Sequence, residues 1–328
     1  VLTDGTAVLG LGDVGPEAAM PVMEGKAMLF KEFADIDAYP ICARVNSPDE
    51  LVAVAKAIAP GFGGINLEDI AAPACFAVEE RLRAELDIPV FHDDQHGTAV
   101  VVLGALLNAA KVAGRRLEDM TVVFLGMGAA GVACTKLLLH VGIGDVIGCD
   151  RQGIVHTGRG DLNDQKRWIA EHTNGQGLTG GVDDALRGAD VFVGVSGPNL
   201  IKTEWLARMA TDSIVFALAN PVPEIMPEEV PPNVRIVATG RSDYPNQINN
   251  VLVFPGFFRG LLDSRASGVS IEMEEAAARA LSSIVAEAEL SEEYIVPSVF
   301  DRRVVEAIAL AVQKVAADQG LARVGRRD

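Results

Sequence analysis

Residues 121–150, TVVFLGMGAAGVACTKLLLHVGIGDVIGCD, carry the pattern that decides the fold. An apolar run leads into Gly126, Gly128 and Gly131 in the spacing G-x-G-x-x-G, and a second apolar run ends at Asp150. In a strand–helix–strand unit, such glycines let the backbone approach a pyrophosphate at the helix N-terminus, and an acid about 20 residues on binds the ribose hydroxyls. The stretch therefore predicts a dinucleotide-binding unit rather than an ordinary tight turn.

Asp150 also bears on which dinucleotide binds. A carboxylate at the end of the second strand repels a 2′-phosphate, which favours NAD over NADP. Arg151 follows immediately and could soften this preference, so NADP stays a possible cofactor.

A second glycine run, Gly10, Gly12 and Gly15, has the same spacing but lacks the matching flanks. The next predicted strand, AYPICARV (38–45), has no acid at its end, and prolines disturb the helix between them. A run of this type is a weak signal by itself. We expect it not to bind a dinucleotide.

Short apolar strands alternate with helical stretches along the chain, which predicts an α/β fold with parallel sheets in two domains. We divide the chain into residues 1–96 and a dinucleotide-binding (Rossmann) domain at 97–328. The predicted strands lie near 6–10, 39–45, 62–67, 88–91, 121–126, 145–149, 190–195, 213–218 and 235–239. The predicted helices lie near 16–34, 48–59, 72–86, 97–113, 271–289 and 302–318.

Composition excludes several classes of protein. The formal net charge of −17 argues against nucleic acid as a partner. Four dispersed cysteines show no zinc or disulfide spacing and suit a reducing cytoplasm. The longest apolar stretch, TAVVVLGALLNAA, includes Asn108 and is shorter than the ~18 residues of a membrane span. The chain begins without Met, close to a strand, so we expect that an upstream segment is missing.

Two pairs of carboxylates follow two apolar strands of one strand–helix–strand unit. Glu68 and Asp69 end GFGGINLEDI, and Asp93 and Asp94 end IPVFHDD. Parallel strands would bring both pairs to the same sheet edge, where open α/β sheets bind ligands. Four acids gathered there repel one another unless a cation neutralises them, and oxygen ligands suit Mg²⁺ or Mn²⁺. The alternative is that some of these acids cap the following helices.

Three further side chains are considered with this cluster. His92 and His96 flank the acid pair, and we expect hydrogen-bonding or packing roles for them rather than metal ligation. Lys26 follows the first glycine run and by pattern alone reads as a solvated helix residue. If Lys26 faces the metal site, burial and the cation would depress its pKa and make it a usable base.

Taken together, the motifs resemble the malic enzymes of the short bacterial type. The resemblance rests on VLGLGDVGPEAAMPVMEGK, GGINLEDIAAP, IPVFHDDQHGTAVV, FLGMGAAG, ALANPVPEI and ATGRSDYPNQINNVLVFPGFFRG, in order over about residues 1–265. It implies oxidative decarboxylation of L-malate to pyruvate and CO₂ with reduction of NAD(P)⁺. It also implies an incomplete N-terminal substrate and metal domain at 1–96, and a homodimer or larger homo-oligomer.

The resemblance assigns roles residue by residue. It implies that Lys26 is the general base that removes the 2-hydroxyl proton, and that Asp93 hydrogen-bonds within the proton relay. Asn220 and Asn250 match amides that hold the substrate and the nicotinamide side. The implied metal ligands are Glu68, Asp69 and Asp94, and the implied cofactor phosphate turn is Met127, Gly128, Ala129 and Ala130.

Two departures leave alternatives open. The general acid of the family is a tyrosine upstream of the first glycine run, where this sequence has no residues, and Tyr39, Tyr244 and Tyr294 do not replace it. Ala7 stands where larger eukaryotic-type members have a substrate-binding arginine. A malolactic-type enzyme, which converts malate to lactate, and a non-catalytic cofactor-binding remnant are therefore the competing hypotheses.

Overall fold

Four short strands form a parallel sheet in the order β2–β1–β3–β4. The computed structural model describes residues 1–324. The strands of this first sheet are β1 Leu2–Thr3, β2 Ile41–Cys42, β3 Ile65–Leu67 and β4 Val90–His92. Helices α1 Gly15–Ala34, α2 Pro48–Ile58 and α3 Ala74–Glu85 connect them in turn. The predicted parallel pairing of the two acid-bearing strands is confirmed, because β3 pairs with β4 in parallel register.

The predicted strand near 6–10 is wrong. The first strand ends at Thr3, and Val8 instead forms an isolated antiparallel bridge with Gly12. Gly10, Gly12 and Gly15 all have positive φ, a conformation that turns the backbone and that a continuing strand cannot adopt. The first glycine run is therefore an exposed loop that leads into α1.

A second sheet of six strands has the order β10–β9–β8–β5–β6–β7. Its strands are β5 Thr121–Leu125, β6 Asp145–Asp150, β7 Gly153–Ile154, β8 Val191–Gly194, β9 Ser213–Ala217 and β10 Val234–Thr239. All neighbours are parallel except β6 and β7. Helices in this part are α4 Thr98–Ala113, α5 Ala129–His140, α6 Asp164–His172, α7 Val182–Ala185 and α8 Thr203–Leu206.

The second sheet is held by aliphatic and aromatic side chains from successive strands. Phe124, Phe192 and Phe216 are fully buried, and their strands are continuous apolar runs. Such runs are typical of parallel strands that are covered on both faces. The predicted α/β class with two parallel-sheet regions, one of them Rossmann-type, is confirmed.

Three helices close the chain: α9 Phe254–Asp263, α10 Ile271–Ser283 and α11 Arg303–Asp318. Helix α9 was not predicted from the sequence, because its segment FPGFFRGLLD contains a proline and two glycines, which disfavour a helix. It is buried along most of its length and packs against α1 and α11. The helix predicted for 271–289 ends earlier, at Ser283.

By contact, the chain forms two compact units. The first comprises residues 1–101, 250–284 and 299–324 within the described chain, and the second comprises residues 102–249 and 285–298. These units are discontinuous along the sequence, whereas the predicted division at residues 96 and 97 is a single cut. The predicted domain division therefore stays a prediction.

Within the described residues, one helical run is long and apolar enough to cross a membrane by length and composition alone. It spans Asp93–Ala113, longer than the apolar stretch of sequence because the π-helical turn Asp93–Gly97 continues into α4. Within its most apolar window, 67% is buried inside the protein. The core helix of a globular protein passes the same test, so this run is weak support for a membrane span.

Candidate active site

The two acid pairs lie immediately beyond paired strand ends. Leu67, the last residue of β3, is the register partner of His92, the last residue of β4. Glu68 and Asp69 continue one strand, and the turn Asp93–Gly97 continues the other. The carboxyl ends of two neighbouring parallel strands thus deliver all four acids to one sheet edge, as the sequence predicts.

Three of these acids form a compact group. Glu68, Asp69 and Asp94 each offer a carboxylate oxygen, and the three oxygens lie within 4.8 Å of one another. The backbone N–H of Asp69 donates to Oδ2 of Asp94 over 2.8 Å, which ties the two strand ends together. Asp69 itself has a left-handed backbone with φ of 54°, a conformation that is uncommon outside glycine and occurs at functional sites.

Electrostatics makes this group costly when it is fully ionised. Burial, with Asp94 as the second cause, raises the pKa of Asp69 to about 7. Burial also raises the pKa of Glu68 well above its usual range, although the Lys26 ammonium opposes this. A bound cation stabilises the ionised form of carboxyl groups whose pKa is raised in this way.

Helix capping does not explain the acids. The residues at the N-caps of α3 and of the Asp93–Gly97 turn are Pro73 and His92, and neither position has a side-chain capping bond. Asp94 instead accepts the bond from the Asp69 backbone. An all-oxygen set of three converging carboxylates fits a hard divalent cation, Mg²⁺ or Mn²⁺, better than zinc.

Lys26 reaches the same edge from α1. Its Nζ lies 2.9 Å from Oε1 of Glu68, also donates to Oδ2 of Asp93, and sits 4.0 Å from the centroid of the Phe254 ring. The side chain is largely buried, which argues against the solvated helix lysine that the pattern alone suggested. The apolar residues around it in α1 turn this face of the helix toward the protein interior.

Two opposing effects set the pKa of Lys26. Burial lowers it, but the carboxylates of Asp93 and Glu68 outweigh burial, so the pKa lies above its usual value. The expectation of a depressed pKa includes a bound cation and stays a prediction. Two anions in direct contact hold the ammonium form.

Asp93 is fully buried, and its contacts differ from those of Asp94. Its Oδ2 accepts from Lys26 and, over 3.1 Å, from the side-chain amide of Asn250. Thr98 donates in turn to the amide oxygen of Asn250 over 3.2 Å. Gly97 is required here, because a Cβ at this position would lie 1.9 Å from Oδ1 of Asp93. Asp93 therefore faces Lys26 and Asn250 rather than the three-carboxylate group.

The two histidines lie behind the acids. His92 is completely buried, with Nδ1 3.5 Å from Oδ2 of Asp94, and burial lowers its pKa. The ring nitrogens of His96 lie 2.9 Å from carboxylates of Glu79 and Glu274. Among the described residues, the group with metal-ligand geometry contains neither histidine.

The glycine turn of the second unit joins β5 to α5. Gly126 has φ of 112°, and a Cβ at Gly131 would lie 1.9 Å from the carbonyl oxygen of Gly126. A Cβ at Gly128 would meet nothing within 4 Å, which leaves an open approach beside Ala129 and Ala130 at the start of α5. This arrangement suits a pyrophosphate against the helix N-terminus.

Asp150 ends β6 and is held by two cations. Arg159 donates to both of its carboxylate oxygens over 2.8 and 3.1 Å, and Lys166 donates over 2.5 Å. Burial raises the pKa of Asp150, but these hydrogen bonds outweigh it and the pKa is lowered. Arg159 and Lys166 were not foreseen from the sequence, since only Arg151 adjoins Asp150 in the chain.

Asn220 follows β9 and lies close to Gly240, where a Cβ would be 2.5 Å from its amide nitrogen. Nearby, the buried Glu224 accepts from the backbone N–H groups of Ser196 and Ala219, which follow β8 and β9. Sequence reasoning missed Glu224, whose only signal is its place shortly after the ALANP motif. It holds together the two strand ends that precede Asn220.

None of the three tyrosines is placed as a general acid. Tyr39 is 61% exposed and packs on Phe62, and Tyr244 donates to Glu228 over 2.6 Å. Tyr294 pairs with Ser291 through backbone bonds. That none of them serves as the general acid stays an expectation.

The fold and the two sites define a class: an α/β protein with a dinucleotide-binding sheet and an acidic, lysine-containing site suited to a divalent cation. Residues 95–317 match the family described as malic enzyme, NAD binding domain, and residues 1–48 and 42–83 match malic enzyme, N-terminal domain. The chain belongs to the malic enzyme family, which confirms the resemblance seen in the sequence.

Individual malic enzymes resemble this chain over nearly its whole length. The chain is 59% identical to an NAD-dependent malic enzyme of Geobacillus stearothermophilus, over 98% of this chain and 68% of that protein. It is 53% identical to a bifunctional malic/malolactic enzyme of Bacillus subtilis, over 99% of this chain and 80% of that protein. A crystal structure of malic enzyme from Pyrococcus horikoshii matches with a TM-score of 0.94 and 49% identity, over 100% of this chain and 78% of that one.

Proposed function

We propose that this protein catalyses the oxidative decarboxylation of L-malate to pyruvate and CO₂, with reduction of NAD⁺ and dependence on Mg²⁺ or Mn²⁺. The observation that carries the proposal is the contact of Lys26 with Asp93 and Glu68, beside the group Glu68, Asp69 and Asp94. A base, its proton partner and a cation site in one place are what oxidation of a hydroxy acid requires.

Glu68, Asp69 and Asp94 would hold the divalent cation. Such an ion, when bound, polarises the oxygens of a hydroxy acid and lowers the pKa of a neighbouring ammonium. The three acids in turn bring the negative charge that retains the ion at this sheet edge. Burial first, and the neighbouring Asp94 second, raise the pKa of Asp69, and a cation at this edge would offset both effects.

Lys26 would accept the proton of the substrate hydroxyl, and Asp93 would take part in its onward transfer. Lys26 is the base at Nζ, and Oδ2 of Asp93 is the atom to which its extra proton can pass, since the two are already hydrogen-bonded. Asn250 donates to the same oxygen and so fixes the orientation of the Asp93 carboxylate. Phe254, below Nζ, limits access of water to the ammonium.

The cofactor is proposed to be NAD, bound at the glycine turn. Gly126, Met127, Gly128, Ala129, Ala130 and Gly131 would hold the pyrophosphate, with Asp150 at the ribose and Asn220 at the nicotinamide. NAD⁺ held there would supply the acceptor for the hydride that leaves C2 of malate. Arg159 and Lys166, the two cations that pair with Asp150, keep NADP use open, because they could bind a 2′-phosphate.

Malolactic activity is the second candidate. The observation that favours it is the bifunctional malic/malolactic relative from Bacillus subtilis, 53% identical to this chain. The same acids, lysine and cofactor turn would serve both reactions. The difference lies in whether reduced cofactor leaves the protein.

The deciding experiment is a product assay with L-malate, Mn²⁺ and NAD⁺. Equal amounts of NADH and pyruvate support the proposed reaction. Lactate without free NADH supports the malolactic alternative. The 328-residue chain should be assayed beside a full-length malic enzyme as a positive control, and inactivity of the chain beside an active control would support a non-catalytic cofactor-binding protein.

A homodimer or larger homo-oligomer and a cytoplasmic location complete the proposal. The assembly rests on the family, and the location on the dispersed free cysteines, three of which are buried. Light scattering coupled to size-exclusion chromatography tests the first. A mass equal to one chain would contradict it.

A further inference from the structure

His96 is held on both sides by buried carboxylates. Its Nε2 lies 2.9 Å from Oε2 of Glu79 on α3, and its Nδ1 lies 2.9 Å from Oε1 of Glu274 on α10. Glu79 and Glu274 are 5% and 4% exposed. Nε2 makes a hydrogen bond with Glu79, Nδ1 is in ion-pair contact with Glu274, and two adjacent carboxylates favour the imidazolium form of the ring. We call Glu79, His96 and Glu274 the histidine clamp.

The histidine clamp contacts the turn that carries Asp93 and Asp94 through three residues of that segment. Besides His96, Glu79 accepts from the backbone N–H of His92 over 3.1 Å and from the side chain of Gln95 over 3.0 Å. These three attachments lie on either side of the two acids in the sequence. The turn is π-helical, a form that is rare and that occurs mostly at functional sites.

The clamp is also a balanced set of buried charges. Arg83 lies 2.9 Å from Glu79, so two carboxylates meet one guanidinium and one imidazolium. Burying ion pairs contributes little net stability compared with apolar residues of the same volume, and its best-attested benefit is a defined geometry. A charged network packed behind the acids of the candidate site is therefore better explained by positioning than by stability.

We propose that Glu274, with Glu79 and through His96, is a positioning residue that sets the affinity of the carboxylate group for its divalent cation. The clamp fixes the Asp93–Gly97 turn so that Asp94 faces Asp69 while Asp93 faces Lys26. This inference rests on the proposed function, because it takes the three acids as a metal site. It adds helix α10, which is distant in sequence from the acids, to the parts of the chain that control that site.

The test is a titration of the full chain with Mn²⁺, followed by the electron paramagnetic resonance signal of free Mn²⁺. For Glu274→Gln we expect the Kd for Mn²⁺ to rise about tenfold, the scale seen when groups behind metal ligands are altered. The matched control is Glu275→Gln, one residue along α10, whose carboxylate pairs with Arg279. The control should bind Mn²⁺ as the wild type does.

A double variant separates positioning through His96 from a general loss of structure. If Glu274 acts through His96, the variant carrying both His96→Asn and Glu274→Gln should bind Mn²⁺ no more weakly than His96→Asn alone. The Kd for NAD⁺ should stay unchanged in all variants. Glu274→Asp, which keeps the charge, should restore part of the affinity and serves if Glu274→Gln does not fold.

Each outcome bears on the inference. Wild-type affinity for Mn²⁺ in a folded Glu274→Gln protein, or a lowered Tm with unchanged Mn²⁺ affinity, would overturn it and leave the proposed function standing. Additive losses in the double variant would also contradict it. A wild-type protein with no Mn²⁺ site would contradict both this inference and the metal dependence in the proposed function.

Discussion

The backbone N–H of Asp69 donates a hydrogen bond to Oδ2 of Asp94 over 2.8 Å. This one bond joins the segments that follow two neighbouring parallel strands. The carboxylate group is thus assembled by the fold itself. A site assembled in this way loses little free energy to ordering when its ion binds.

Asp94→Asn tests the role of charge in this group. The amide oxygen can still accept the bond from the Asp69 backbone, so the variant removes a charge and keeps the shape. We expect Mn²⁺ affinity to fall by about 100-fold or more, and metal-dependent turnover to be lost. NAD⁺ binding should survive. Asp87→Asn, at an exposed acid, is the control, and equal loss in both would contradict the assignment.

Lys26→Arg tests the proposed base. Arginine keeps the positive charge between Asp93 and Glu68, but its pKa above 12 prevents it from accepting a proton. We expect kcat to fall by about 10²- to 10⁴-fold, the usual contribution of a general base, while NAD⁺ still binds. Steady-state kinetics measures this. Lys31→Arg, at a half-exposed lysine further along α1, should retain full activity.

Gly97→Ala tests the placement of Asp93. A Cβ at this position would lie 1.9 Å from Oδ1 of Asp93, so the carboxylate or the turn must move. Overpacking of this kind costs about 1–3 kcal/mol of stability, and it should also lower kcat by shifting Asp93 away from Lys26. Gly61→Ala, where a Cβ meets nothing within 4 Å, is the control. Unchanged kcat in Gly97→Ala would argue against the relay.

Asp150→Ala tests the cofactor preference. The variant removes the ribose partner and releases Arg159 and Lys166, which now bind Asp150. We expect KM for NAD⁺ to rise about tenfold while KM for NADP⁺ stays level or falls. Glu171→Ala, at an exposed acid near the end of α6, controls for surface charge. A selective loss of NADP⁺ would reverse the assignment.

Much of the site could be predicted because its residues follow strands. Apolar runs that end in acids place Glu68, Asp69, Asp93 and Asp94 at a sheet edge by the geometry of parallel strands alone. The glycine turn before α5 is a local pattern of the same kind. The separate roles of Asp93 and Asp94 came from the resemblance, since adjacent acids look alike in a sequence.

The rest depends on contacts between distant segments. His96 meets Glu274 from α10, and Asp150 meets Lys166 from α6, and neither partner is marked by spacing or composition. Helix α9 was missed because its first residues include a proline and a glycine, with a second glycine at Gly260, and glycine and proline disfavour helix formation. The strand predicted near 6–10 was wrong because positive-φ glycines turn the chain there.

The stoichiometry of products from L-malate and NAD⁺, measured with Mn²⁺ and with EDTA, tests metal-dependent oxidative decarboxylation most directly. We expect one NADH and one pyruvate for each malate consumed in Mn²⁺, and no turnover in EDTA, because Glu68, Asp69 and Asp94 are proposed to hold an ion that the reaction requires. Equal turnover in EDTA and in Mn²⁺ would contradict the proposed metal-dependent reaction.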